Sequence, residues 1–200
     1  MTDPDPWHNQ VTLFGKNVRL QPMTETHIHA LAWAGRDESI WRYMVYGDLT
    51  SENRMRTWVM DMLNRQSTGT DLCFVVVLLA KNNLVGATRF LEMRPEHRSL
   101  EIGGTWYSPE NQRTVVNTEC KYLLLKYAFE KLGCIRVQFK ADARNERSMR
   151  AIERLGAQKE GVLRKHYILP DGTIRDSVYF SILDKEWPEV KIRLEEKLER

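Results

Sequence analysis

Hydrophobic and polar positions change period several times along the chain, and each change predicts an element. Val18 and Leu20 alternate with Arg19 and Gln21, the period of two that marks a strand, expected over residues 11–22. Thr24 is placed to cap a helix that runs to about residue 34 and ends at Gly35. An aromatic-rich segment follows, with Ile40, Trp41, Tyr43, Met44 and Tyr46, and then Thr50 or Ser51 opens a second helix. Met55, Trp58, Val59, Met62 and Leu63 fall there at i, i+3, i+4, i+7 and i+8, one apolar stripe at helical period. Residues 72–80 are continuously apolar and valine-rich, the pattern of a strand buried on both faces. Lys81-Asn82-Asn83 predicts a turn, and residues 84–93 an antiparallel return strand.

The stretch 98–156 organises the rest. A strand at 100–107 enters a polar loop at 108–114, and a helix over 115–132 stops at Gly133. A second strand at 134–141 follows, then a helix from Asn145 to about residue 155, stopped by Gly156. Residues 158–169 and 173–183 flank Pro170-Asp171-Gly172, a hairpin signal. Val190, Leu194 and Leu198 keep a helical stripe in a C-terminal helix at about 186–200, where Pro188 is tolerated in the first turn. The prediction is a flexible N-terminus at residues 1–10 and a single domain at 11–200. Its class is α+β, a mixed, mostly antiparallel sheet with helices on both faces.

Two hundred residues suffice for one domain with its own core. Apolar content of 42% with 28% charged residues is that of a soluble globular chain. The net charge of +3 is small and the basic residues are interleaved with acids, which argues against a nucleic-acid partner. Cys73, Cys120 and Cys134 form no Cys-x-x-Cys pair, so neither a disulfide framework nor a zinc site is expected. His27, His29 and His97 lack metal-ligand spacing, and no metal is predicted. The first ten residues are polar and do not read as a signal peptide. The run at 72–80 is too short to span a bilayer, so a cytoplasmic location without a membrane partner is expected. Apolar faces on the second and last helices are compatible with a homodimer.

The central stretch carries candidate chemistry. A strand that passes through a tight loop into a helix N-terminus makes an anion site, because the first helical N–H groups have no intrahelical partner. Gln112, Arg113 and Thr114 bring further donors, so the loop is either a pyrophosphate site or an ordinary capped turn with a solvated arginine. Adjacent Gly103 and Gly104 inside a strand mark a bulge, made for close backbone approach or for sheet twist alone. Asn145 is at least an N-cap.

Gln112-Arg113-Thr114-Val115-Val116-Asn117, then Asn145-Glu146-Arg147-Ser148 and Arg154-Leu155-Gly156-Ala157, resemble the core of the GNAT acyltransferase superfamily, and within it the RimJ/RimL-type branch that acetylates ribosomal-protein N-termini. The resemblance covers about residues 11–183. It implies a GNAT-like twisted sheet with a V-shaped splay between two central parallel strands, and acetyl-CoA as the donor. Gln112, Arg113, Thr114, Val115, Val116 and Asn117 would then hold the pyrophosphate. Val115 and Asn117 depart from that family's small residues at these places. Thr105, Trp106 and Tyr107 would meet the pantetheine arm and acetyl group, and Asn145 would bond the arm.

Ser148 stands where this branch places a serine near the cofactor sulfur, as proton donor to the leaving thiolate. The tyrosine that other branches use one turn later is replaced by Ile152. Glu101, alternating with Leu100 and Ile102, is the candidate general base; its other reading is a surface carboxylate. Glu160 and Asp176 are weaker candidates for a base or for gripping an amine. Trp41, Tyr43, Tyr46, His166 and Tyr167 would line the acceptor site. The expected activity is an N-acetyltransferase acting on a primary amine by direct attack on the thioester, foremost a peptide or protein N-terminal α-amine. A small-molecule amine as acceptor, or a non-catalytic module that senses CoA, are the alternatives. No Gly-x-Gly-x-x-Gly follows the first strand and no Gly-x-Ser-x-Gly is present, which excludes a Rossmann enzyme and a nucleophile-elbow hydrolase.

Overall fold

The computed structural model describes residues 6–199. Strands β1 (Leu13–Phe14) and β2 (Val18–Pro22) lead to helices α1 (Ile28–Ala34) and α2 (Glu52–Ser67). Strands β3 (Leu72–Leu78), β4 (Asn83–Arg94) and β5 (Ser99–Tyr107) follow as a meander. Helix α3 (Val115–Glu130) crosses to β6 (Arg136–Asp142), and α4 (Glu146–Glu153), β7 (Gln158–Ile168), β8 (Ile174–Leu183) and α5 (Trp187–Glu199) follow. The strands form one sheet in the order β1-β2-β3-β4-β5-β6-β8-β7. Neighbours are antiparallel except β5 and β6, which run parallel. This is the mixed α+β sheet that the periodicity predicts.

Strand β3 explains why helices cover both faces. Leu72, Phe74 and Val76 enter one core, while Cys73, Val75 and Val77 enter the other. The first core gathers Leu124 of α3, Ile152 of α4 and Leu194 of α5. The second gathers Leu31 of α1 and the α2 stripe Met55, Trp58, Val59 and Met62. Fully burying one such side chain stabilises by about 1.5–3 kcal/mol. Alternate residues of one strand therefore anchor both helical layers.

The local signals mark the helix ends well. A short 3-10 turn at Glu25–His27 precedes α1, and Gly35 follows it. Ser51 caps α2 by accepting from the Arg54 N–H at 3.4 Å. Gly133 ends the α3 region with φ of 64° and Gly156 the α4 region with φ of 102°, values that favour glycine. The turn between β7 and β8 is closed by Leu169 and Thr173, whose backbone N–H and C=O meet at 2.8 Å.

Two expectations are corrected. The single strand over 11–22 is two strands joined by a turn. The Gly15 N–H donates to the Val18 carbonyl, and the Lys16 and Asn17 N–H groups donate to the Glu119 carboxylate of α3, at 3.1 Å for Asn17. A Cβ on Gly15 would stand 2.3 Å from Glu119 Oε1, so only glycine lets the turn close on that carboxylate. The second correction concerns the N-terminus. Residues 1–5 of the segment expected to be flexible lie outside the described residues. Trp7 is buried in the first core and the Tyr127 hydroxyl donates to the Pro6 carbonyl at 3.2 Å, so the chain is tied down before residue 11.

Candidate active site

Strands β5 and β6 pair at three positions: Ser99 with Arg136, Leu100 with Val137 and Glu101 with Gln138. Beyond Glu101 they part. On its other edge β5 stays with β4, through a bulge in which Gly103 pairs with Arg89 and Trp106 with Ala87. Gly104 supplies the turn in direction with φ of 58°. A bulge of this kind bends its strand and increases local twist, which carries β5 away from β6. The facing edges of the two strands are left with unpaired backbone donors and acceptors, which need another partner.

The loop after β5 closes one end of this splay. Gln112 donates to the Tyr107 carbonyl at 2.9 Å and accepts from Arg147 of α4 at 2.7 Å, which fixes the loop between strand and helix. Thr114 caps α3 by accepting from the Val116 N–H at 3.3 Å. The N–H groups of Arg113, Thr114 and Val115 have no hydrogen-bond partner among the described residues. They stand at the positive end of the α3 dipole, where an anion is favoured. The left-handed residue is Arg113, with φ of 61°. Val115 is the first helical residue, so a side chain at that place imposes no backbone strain. Val116 turns its side chain into the first core, and Asn117 is half-buried on the first turn.

Across the splay, Asn145 caps α4 through its Oδ1, which accepts from the Ser148 N–H at 3.0 Å. The Asn145 side-chain nitrogen and the Ser148 hydroxyl have no partner among the described residues and remain available to a ligand. Ile152 is buried in the first core.

Glu101 is not a surface carboxylate: it is 2% exposed. It accepts from Gln138 Nε2 at 3.0 Å and pairs with Lys140 Nζ at 3.4 Å. Burial pushes its carboxyl above the usual range, and Lys140 and Gln138 pull it back only in part. Burial works against the Lys140 ammonium, but Glu101, Tyr167 and Tyr179 outweigh it and keep Lys140 charged. Lys140 also donates to the Tyr167 hydroxyl at 3.2 Å. His166 packs on Tyr167 with ring centroids 4.2 Å apart, and burial, then Lys140 and Arg175, hold its pKa down. Glu160 is held by both Arg136 nitrogens at 2.5 Å, which removes it as a base. Asp176 accepts from the Lys165 N–H at 2.6 Å.

An open cleft of about 840 Å³ lies between the segment after α1, helix α2 and the hairpin turn, with Tyr46, Trp58 and Leu169 among its walls. Its carboxylates Glu38, Asp48, Asp61 and Asp171 outnumber its guanidiniums, Arg42 and Arg54. Tyr46 joins the cleft to the splay: its hydroxyl would be 3.1 Å from a Cβ on Gly104. That hydroxyl accepts from Arg89 at 2.9 Å, and Arg89 is paired with buried Asp71 at 2.9 Å. Trp41 forms the floor, with its N–H on the Gly35 carbonyl and its ring 5.0 Å from that of Trp106.

The five residues expected to line one acceptor site are thus divided. Trp41 and Tyr46 reach the cleft, His166 and Tyr167 stand beside Lys140, and Tyr43 lies outside the cleft near the Arg42 and Arg144 guanidiniums. The residues expected to meet the arm are also divided. The Trp106 ring packs in the second core and Tyr107 in the first, so only their main chain faces the splay, whereas Thr105 turns its hydroxyl to Thr88 and Lys121. Sequence reasoning missed Gln138 and Lys140. Both alternate with buried Val137 and Phe139, which places them on one face of β6 and was legible.

Residues 17–158 match the family model described as the acetyltransferase (GNAT) domain. YdaF of Bacillus subtilis (strain 168), named provisionally as a ribosomal N-acetyltransferase, is 34% identical over 110 residues, 55% of this chain and 59% of YdaF. The chain therefore spans little more than half the length of that relative. A solved candidate acetyltransferase from T. thermophilus is 39% identical with a TM-score of 0.85, covering 94% of this chain and 96% of the other. Mycobacterium smegmatis RimJ, in complex with CoA-disulfide, is 20% identical with a TM-score of 0.79 over 96% of each chain, a likeness of fold.

Proposed function

The chain belongs to the GNAT acetyltransferase family, and from that premise we propose that it moves an acetyl group from acetyl-CoA to the α-amine of a peptide or protein N-terminus. The observation that carries the reading is the parting of β5 and β6 beyond Glu101 and Gln138, with the unpartnered N–H groups of residues 113–115 at its end. Acetyl-CoA supplies a thioester carbonyl open to attack by an amine.

The chain's residues divide the remaining work. Arg113, Thr114 and Val115 offer main-chain donors to the pyrophosphate, and the Arg113 side chain adds charge. Asn145 offers its free amide nitrogen to the arm. Main-chain N–H groups of β5 past the bulge offer donors to the carbonyl oxygen, where charge develops. Glu101 accepts a proton from the attacking amine, directly or through water, and its raised pKa makes it a stronger base. Ser148 gives a proton to the departing sulfur.

The acceptor reading rests on the cleft. Asp48 and Asp61 are paired with Arg54 and Arg65, which leaves Glu38 and Asp171 to favour a cationic segment, and the open shape suits an extended chain better than a small amine. YdaF, a relative named provisionally for ribosomal acetylation, points the same way. Among the described residues no helix is long and apolar enough to cross a membrane, and the three cysteines are free and buried, which fits a reducing cytoplasm.

Release of free CoA thiol in the presence of N-terminal peptides, the same peptides with blocked α-amines, and small amines tests the proposal. Release with the free peptides alone is expected. Release with small amines alone would move the acceptor to that class. Bound acetyl-CoA without any release would favour a sensing module.

A further inference from the structure

Helix α3 carries a cation in the splay that the reaction above leaves unused. Lys121 is 6% exposed and stands on the buried side of α3 with Val116, Cys120 and Leu124. Its ammonium donates to the Thr105 hydroxyl at 2.5 Å and lies 5.9 Å from the centre of the Phe139 ring. Thr105 belongs to β5 and Phe139 to β6. Both lie beyond Glu101 and Gln138, the last pair that joins those strands. Lys121 therefore reaches the level at which the sheet has opened.

An ammonium has three donors, and Thr105 satisfies one. Among the described residues no carboxylate forms an ion pair with Lys121, because neighbouring Glu119 is committed to the turn at Lys16 and Asn17. A buried cation without a partner is destabilising, and an apolar residue of similar volume is usually better at such a place. Burial lowers the Lys121 pKa to about 8 even though Cys120 and Glu101 offset it in part. Thr105 is itself fixed by the Thr88 hydroxyl at 2.8 Å, so the one bond that Lys121 makes also aims it. No hydrogen bond to the remaining donors is found among the described residues, and beside Thr105 and Phe139 the edges of β5 and β6 no longer pair with each other. An acceptor that enters between these edges would satisfy those donors.

We propose that Lys121 is a donor-binding residue whose ammonium hydrogen-bonds a carbonyl oxygen of the acyl donor lying between β5 and β6. This rests on the reading of the splay as the acetyl-CoA site. The oxygen belongs either to an amide of the arm or to the thioester, and both are neutral carbonyl acceptors. No covalent step is assigned to Lys121.

Calorimetric titration of wild type and K121M with acetyl-CoA and, separately, with CoA tests this, together with the melting temperature of each protein without ligand. Loss of a hydrogen bond to a charged group predicts affinity about ten- to a hundredfold weaker in K121M. The unliganded variant is expected to melt at or above wild type. An equal loss for both ligands assigns the oxygen to an arm amide, and a loss confined to acetyl-CoA assigns it to the thioester. Wild-type affinity of K121M for both ligands overturns the proposal, and a lower melting temperature with unchanged affinity marks Lys121 as structural. If K121M does not fold, K121Q is titrated with the same expectation and the same contrary result. If wild type binds neither ligand, the reading of the splay falls and this proposal with it.

Discussion

Glu101 of β5 and Lys140 of β6 face each other at 3.4 Å just where their strands stop pairing. The ion pair sits at the vertex of the splay, and the Gln138 amide completes it at 3.0 Å. Glu101 is buried and Lys140 half-buried, and Lys140 extends the contact to Tyr167 on the hairpin and to Glu92 at 3.7 Å. The pair therefore ties the parting strands to the late hairpin at the place where an amine would meet the acyl donor.

If Glu101 is the base, E101Q lowers turnover most near neutral pH, above the raised pKa of Glu101 and below that of the amine, and the deficit closes at acidic pH where the wild-type carboxyl is itself protonated. Near neutral pH the acceptor amine is protonated and needs a proton acceptor. The deficit also shrinks as pH approaches the amine's own pKa, where free base is abundant. A pH–rate profile of the variant that parallels wild type throughout would remove Glu101 from the mechanism.

S148A keeps the Asn145 cap, because Ser148 contributes its backbone N–H to that bond. The hydroxyl is the only group lost. Turnover should fall by about a hundredfold, in the range of general acid catalysis, with the acetyl-CoA dissociation constant little changed. Equal turnover in steady-state kinetics would leave the serine without a chemical role.

Asn145 has two tasks, and N145A separates them from Ser148. Loss of the cap costs about 1 kcal/mol of stability in chemical denaturation. Loss of the free amide nitrogen weakens acetyl-CoA binding roughly tenfold. Full affinity in a measurably destabilised variant would restrict Asn145 to capping.

Lys121 makes stability depend on pH in a direction that can be worked out. Its folded-state pKa of about 8 lies below the ordinary 10.5. Between these values the unfolded chain holds a proton that the folded chain has released, so stability rises with pH across the interval. Below pH 8 the full penalty of the buried ammonium applies, up to roughly 3 kcal/mol from the size of the shift. Denaturation of wild type and K121M at several pH values should show their difference shrinking from pH 8 to pH 10.5. A constant difference would mean that Lys121 does not titrate there.

Features encoded within a few residues were legible in the sequence. The valine run of β3 declared two buried faces, Asn145 its cap, Gly133 and Gly156 their helix ends, and the Gly103-Gly104 pair its bulge. Features that need a distant partner were not. The break between β1 and β2 is set by Glu119, which arrives from α3 to satisfy Lys16 and Asn17. Burial of Glu101 depends on Gln138 and Lys140, which only the parallel pairing of β5 and β6 brings near. The division of the acceptor aromatics follows from the irregular register between Leu163 and Tyr167, which directs His166 and Tyr167 to Lys140 rather than the cleft. Lys121 was visible as a lone cation on an apolar helix stripe, but Thr105, the residue that gives it a direction, lies on another element.

Val115 illustrates the same limit. By the resemblance it stands where the family has a small residue. In the structure it begins α3 in helical conformation, and Arg113 takes the left-handed position. V115G should therefore leave cofactor affinity unchanged and lower stability by roughly 0.5–1 kcal/mol through the flexible helix start. Tighter binding in the variant would show that the valine obstructs the site.

The most direct test of the central claim, that the splay and the α3 N-terminus hold acetyl-CoA, is the melting temperature with and without saturating cofactor. A ligand that binds only the folded state adds about 2.7 kcal/mol at a hundredfold excess over its dissociation constant. A clear upward shift, reduced in N145A and K121M, is the predicted result. An unchanged melting temperature at millimolar acetyl-CoA would contradict it.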